Sequence, residues 1–185
     1  MRVPRTFAFL DLCGFTAYNE ARGDDAAIAV LAHLRARLRA SAERSGVHVT
    51  RWLGDGAMVC GADPGATIEC AAAVRDAVGA DGPLPLRGGI AAGEVVVFEG
   101  DDHVGAAVNL SARLCDQARP GELLIAAPLL DGLHQAPEAE QIVMRLAGIS
   151  GLVTAHRLPC CTAALQPESA SNGRDRVASQ LPKRR

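Results

Sequence analysis

Two rhythms of apolar and polar positions alternate along this chain. Thr6 to Leu12 (TFAFLDL) is a short apolar run, the pattern of a buried strand, and Cys13-Gly14-Phe15-Thr16 reads as the loop that follows. From Asp24 to Ser45 the rhythm becomes helical. Ile28, Leu31, Leu34 and Leu38 recur on one face, Asp24 stands as an N-cap and Gly46 as the stop. Val47 to Leu53 and Ala57 to Gly61 read as a hairpin closed by Gly54-Asp55-Gly56, since Asp-Gly between apolar strands suits a tight turn. Asp63-Pro64 opens a second helix, expected to run to Val78 and end at Gly79.

Two strands, Leu86 to Ala92 and Glu94 to Phe98, are expected to join at Gly93. A helix from Gly105 to Ala118, a strand from Glu122 to Ala126 and a short helix from Pro128 to Leu133 come next. Strands over Gln141 to Leu146 and Leu152 to Leu158 complete the pattern. Strands interleaved with helices, plus hairpins, predict an α+β sandwich with a mixed sheet. From Thr162 the chain is polar and aperiodic, so residues 161–185 are expected to be a disordered tail behind a domain over residues 1–160.

Composition narrows this picture. The 185 residues suffice for one well-packed domain. A net charge of -2 argues against a nucleic-acid or membrane surface as partner. Neither a secretory leader nor an apolar run of membrane-spanning length is evident, so a soluble, cytoplasmic protein is expected. Cys13, Cys60, Cys70, Cys115, Cys160 and Cys161 form no C-x-x-C pair and are expected to be reduced and mostly buried. Lys183 is the only lysine, so the positive charge is carried by arginine.

Asp11 ends the first strand just before a glycine-containing loop, where a carboxylate can hold a divalent metal and loop amides can meet phosphate; capping a turn is the plainer role. Asp55 sits at the hairpin tip, an ordinary turn position unless the first strand lies beside it, in which case the two carboxylates converge as in two-metal sites. Asn109 and Arg113 are four apart and share a helix face, suited to a ribose and a developing phosphate charge or simply to solvent. His48 and His103 are lone histidines and receive no catalytic role.

The ordered set F-x-D-L-C-G-F-T (Phe9 to Thr16), R-W-L-G-D-G (Arg51 to Gly56), G-I-A-A-G-E-V (Gly89 to Val95), D-H-V-G-A-A-V-N-L-S-A-R (Asp102 to Arg113) and R-P-G-E-L-L-I (Arg119 to Ile125) resembles the class III adenylate/guanylate cyclase family over residues 6–158. The resemblance implies a ferredoxin-like sandwich with a mostly antiparallel sheet flanked by helices. It implies that Asp11, Asp55 and the Leu12 carbonyl hold two divalent ions, Mg²⁺ or Mn²⁺. The amides of Cys13, Gly14, Phe15 and Thr16 would hold the triphosphate, Arg51 and Asp102 the base, and Asn109 and Arg113 the transition state. It further implies a head-to-tail homodimer in which one copy supplies the metal carboxylates and the other the base-reading residues Arg51 and Asp102 with Asn109 and Arg113. ATP is the first substrate on this reading, with cyclic AMP and pyrophosphate as products.

Two positions depart from the family pattern. Arg51 stands where adenylate cyclases usually carry lysine, and its fork also suits GTP or a pyrimidine nucleotide. In the late hairpin, Arg145 is the candidate for a lysine that touches the triphosphate. These departures leave a second reading open, a weak or silent cyclase-like module that binds nucleotide for regulation.

Overall fold

The computed structural model describes residues 2–98, 102–133 and 137–159. The elements run β1 (Arg2–Leu12), α1 (Phe15–Arg22), α2 (Asp24–Ser45), β2 (His48–Leu53), β3 (Gly56–Gly61), α3 (Pro64–Asp81) and β4 (Leu86–Phe98). They continue with β5 (Asp102–Val104), α4 (Ala106–Gln117), β6 (Leu123–Ala126), α5 (Ala127–Asp131), β7 (Glu140–Met144) and β8 (Val153–Leu158). One sheet carries the strands in the order β2-β3-β1-β4-β6-β8-β7, with β5 paired to the far end of β4. Every pairing is antiparallel except β4 with β6, which α4 connects. The fold is the α+β sandwich with a mixed sheet that the pattern predicts, mostly antiparallel as the family resemblance implies.

The two-residue period of β1 divides the molecule into layers. Ala8, Leu10 and Leu12 pack against Leu34 and Leu38 of α2 and Val74 and Val78 of α3, the larger core. Phe7 and Phe9 lie in a cluster with Met58, Val95, Ala107 and Val108 on the opposite face. There α4 lies directly on β4: a Cβ added to Gly89 would sit 2.2 Å from both the Cys115 amide nitrogen and the Ser111 carbonyl oxygen. Beyond α4 this second face stays open, and Leu53, Phe98 and Val104 are exposed on it. Arg75, 2% exposed, ties the far end of the sheet to α3, donating to Asp76 Oδ1 at 2.8 Å and to the Leu158 carbonyl at 2.9 Å.

Several expectations are corrected locally. The loop after β1 is shorter than read: Gly14 turns the chain with φ of 80°, and Phe15 and Thr16 already belong to α1. Gly23, not Asp24, is the N-cap of α2, and Asp24 and Asp25 occupy its first turn, where carboxylates favour the helix dipole. Ile28 is 62% exposed, outside the apolar stripe that Leu34 and Leu38 define. Gly79 does not end α3, which continues to Asp81; Asp63 caps its start as expected, accepting from the Ala66 amide at 2.6 Å. Gly93 does not break β4, because its neighbour Arg5 keeps the ladder in register through it.

Cys60, Cys70 and Cys115 are buried, Cys13 is half-buried, and all four are free thiols. Cys160, Cys161 and the segment 161–185 lie outside the described residues. No helix among the described residues is long and apolar enough to cross a membrane.

Candidate active site

Pairing in the sheet brings the two acidic positions together. β1 lies between β3 and β4, so Asp11 has Gly56 on one side and Arg87 on the other. Gly54 and Asp55 form the turn of the β2–β3 hairpin, Gly54 with φ of 69°. The Leu12 amide donates to the Asp55 carbonyl at 3.2 Å, which fixes the hairpin tip to the end of β1. Gly56 permits this approach: a Cβ there would stand 2.6 Å from the Leu10 carbonyl oxygen and 3.3 Å from Asp11 Oδ1.

Arg87, to which sequence reasoning assigned no role, holds the first carboxylate. Its Nε and terminal nitrogen donate to Asp11 Oδ2 at 3.0 and 2.8 Å. Burial opposes the Arg87 charge, but the hydrogen bonds and charge of Asp11 prevail and raise its pKa. The one signal in the sequence was a single charge in the otherwise uncharged run Leu86 to Ala92; its partner depends on register across the sheet, which spacing along the chain does not reveal.

Asp55 has a raised pKa. Burial is the main cause and the Asp11 charge adds to it, while its own backbone hydrogen bond and Arg87 pull the other way. A carboxylate whose ionisation is disfavoured by burial and by a neighbouring carboxylate fits a hard cation between the two. Among the described residues no group of three or more His, Cys, Asp or Glu forms a metal cage. A cation here would rest on two carboxylates plus other oxygens, a set that magnesium accepts.

In the loop, the Cys13 amide is already committed, donating to the Pro85 carbonyl at 2.9 Å, so the expectation that it holds phosphate is corrected. The amides of Gly14, Phe15 and Thr16 precede the first bond of α1, from Tyr18 N to Gly14 O at 3.0 Å, and are the orphan donors that a helix start offers. The Cys13 thiol is pushed up to about 11 by burial, against the pull of Arg87, and Cys115 to about 12 by burial first and Asp11 next.

Asn109 and Arg113 project from α4 into the pocket that Asp11 and Gly56 also line, with a volume of about 320 Å³. Arg113 is held there by Asp116 at 2.9 Å. Arg51 and Asp102, expected to read a base, come from β2 and β5 and meet in an ion pair. They line a neighbouring pocket of about 250 Å³ with Phe9, Phe98, His103 and Val108. Phe9 is shared by both pockets. Arg145 follows β7, exposed, and does not line the pocket around Asp11.

No protein-family model matches the sequence. The chain is 33% identical over 147 residues to a pH-sensitive adenylate cyclase of Mycobacterium tuberculosis, covering 77% of this chain and 36% of that protein. It therefore spans little more than a third of this relative's length. Among solved structures, the adenylyl cyclase CyaB from P. aeruginosa superposes with a TM-score of 0.76 at 23% identity, covering 85% of this chain and 94% of that one. The guanylate cyclase domain of RhGC from Catenaria anguillulae, solved in complex with GTP, superposes with a TM-score of 0.77 at 17% identity, covering 86% and 98%. By fold this chain is a class III nucleotide cyclase domain. Within that class its neighbours include both adenylyl and guanylyl enzymes.

Proposed function

We propose that the chain converts a nucleoside triphosphate, ATP first, into a 3′,5′-cyclic nucleotide and pyrophosphate, at sites formed between two copies. The supporting observation is the convergence of Asp11 and Asp55 beside Arg87, with Asn109 and Arg113 on the same open sheet face. The named adenylate cyclase among its relatives points the same way.

On this reading Asp11, Asp55 and the Leu12 carbonyl hold two divalent ions, Mg²⁺ or Mn²⁺, which supply Lewis acidity to the 3′-hydroxyl and the phosphates. Arg87 orients Asp11 and brings positive charge beside the triphosphate. The amides of Gly14 to Thr16 donate to phosphate oxygens. Asn109 orients the ribose so that its 3′-oxygen attacks the α-phosphorus in line. Arg113 offsets the charge that develops as pyrophosphate leaves. Arg51 donates to a ring nitrogen of adenine, and Asp102 accepts from its amino group. The chain needs no covalent intermediate, and the Cys13 and Cys115 thiols, with pKa raised to about 11 and about 12, stay protonated near neutral pH.

A head-to-tail homodimer divides the labour: one copy supplies Asp11 and Asp55, its partner Arg51, Asp102, Asn109 and Arg113. Exposed Leu53, Phe98 and Val104, on the open face, are the apolar surface that a second copy would cover.

The competing reading, a silent nucleotide-binding module, is favoured by the ion pairs that engage Asp11 and Asp102 within the chain itself. Incubation with ATP, GTP, CTP and UTP, with Mn²⁺ or Mg²⁺, followed by mass spectrometry, separates the readings. A cyclic nucleotide that disappears in Asp11→Asn supports the cyclase, and its base reports what Arg51 and Asp102 select. No cyclic product and no pyrophosphate at high protein concentration would favour the silent module.

A further inference from the structure

A third pocket continues the same sheet face away from the carboxylates. Side chains of Arg5, Phe7, Phe9 and Asp11 alternate onto one side of β1, so they form a row along the strand. Asp11 and Phe9 line the first pocket, and Phe9 and His103 the second. His103 and Arg5 line the third, of about 430 Å³, together with His48, Thr50 and Cys60. Arg5 and Asp11 are six residues apart on an extended strand, on the order of 20 Å. The third pocket is therefore separate from the carboxylates.

Its chemistry is one-sided. Arg5, His48 and His103 line it, and no aspartate or glutamate does among the described residues. The Arg5 guanidinium donates to the carbonyl of its own neighbour Pro4 at 2.9 Å. No carboxylate pairs with it among the described residues. Its charge reaches the pocket wall, where it counteracts part of the burial that raises the Cys60 thiol. At the nearby α2 terminus the amides of Gly46 and Val47 both donate to the Ala42 carbonyl. His103 stands edge-on to Phe7, ring centroids 5.3 Å apart, and its Nδ1 is buried without a hydrogen-bond partner in the structure. A guanidinium with no carboxylate partner and two imidazoles, with no acidic side chain beside them among the described residues, make this pocket wall suited to an acceptor.

We propose that this pocket is a second ligand site that binds a small oxyanion, a carboxylate or a phosphate, between Arg5, His48 and His103. Occupancy is felt at the neighbouring pocket, because His103 is the wall between them and directly follows Asp102 in β5. That coupling rests on the cyclase reading; the binding itself does not.

The test titrates the full chain with inorganic phosphate and, separately, acetate, at ionic strength held constant with chloride. The imidazole resonances of His48 and His103 are followed by NMR. Saturable shifts are expected with at least one anion, and whichever binds tighter assigns the source as phosphate or carboxylate. Arg5→Gln should weaken binding at least tenfold, about 1.4 kcal/mol. Arg5→Lys, which keeps the charge but loses the fork, should fall between the two and serves if the glutamine variant fails to fold. Arg113→Gln, in the pocket around Asp11, should leave the histidine shifts unchanged. Shifts that do not saturate, that chloride reproduces, or that survive in both Arg5 variants would overturn the site. Nucleotide KM should change several-fold with the bound anion in the wild-type chain and not in the Arg5 variants. An unchanged KM would overturn the coupling alone. Binding without any turnover would keep the site and count against the cyclase reading.

Discussion

Asp55 carries an opposing pair of consequences. A carboxyl whose pKa is raised in the folded chain binds more protons than it does unfolded, so its ionisation costs stability as pH rises through its titration. Asp55→Asn should therefore raise the melting temperature of the metal-free protein at neutral pH while abolishing metal-dependent turnover. An equal or lower melting temperature would show that Asp55 is not strained by burial and Asp11. The same proton competes with metal, so the Mn²⁺ concentration for half-activation should increase as pH falls toward the titration of Asp55. Cys13 is half-buried with its pKa pushed up to about 11. Iodoacetamide at pH 8 should modify it ~100-fold more slowly than an ordinary exposed cysteine, because the thiolate is the reactive form. Mass spectrometry of the labelled peptide measures the ratio.

Among the elements, α4 depends on what β4 lacks. With Gly89 2.2 Å from α4 backbone atoms at its missing Cβ, Gly89→Ala must push the helix outward and carry Asn109 and Arg113 with it. Overpacking of this kind costs roughly 1–3 kcal/mol, or more where backbone is the obstacle. Urea denaturation should show that loss, and activity should fall further than stability because the helix carries catalytic groups. Elements like these were legible in sequence where a strong local signal existed. Gly54 and Asp55 announced the hairpin, Asp63-Pro64 the start of α3, and Gly46 the end of α2. The short helix α1 was not legible, because its start depends on the Gly14 turn rather than on periodicity. The three-residue β5 is held by pairing with Val96 to Phe98, which no three-residue pattern announces. At the site, Asp11, Asp55, Asn109 and Arg113 were found as separate motifs, whereas Arg87 and the third pocket exist only through register across the sheet.

At the scale of the whole molecule, the proposed labour division predicts two behaviours. Specific activity should rise with protein concentration until the dimer is saturated, since each site needs two chains. Asp11→Asn and Arg113→Ala should each be inactive alone, yet an equal mixture should recover about a quarter of wild-type activity, because half the dimers are mixed and each holds one intact site. No recovery after mixing, with dimers seen by ultracentrifugation, would mean that each copy works with its own residues.

The parallel pairing of β4 with β6 has a further consequence for synthesis. β4 pairs with β1 along one edge, but its other edge waits for Leu123 to Ile125, beyond the α4 crossover. A nascent chain that has emerged only as far as α4 presents Gly88, Gly89 and Ile90 as an unpaired apolar edge, the template on which strands of other chains assemble. Ribosome-released fragments ending between β5 and β6 should thus be the aggregation-prone ones, and a chaperone that shields a sheet edge has its briefest and most valuable moment there.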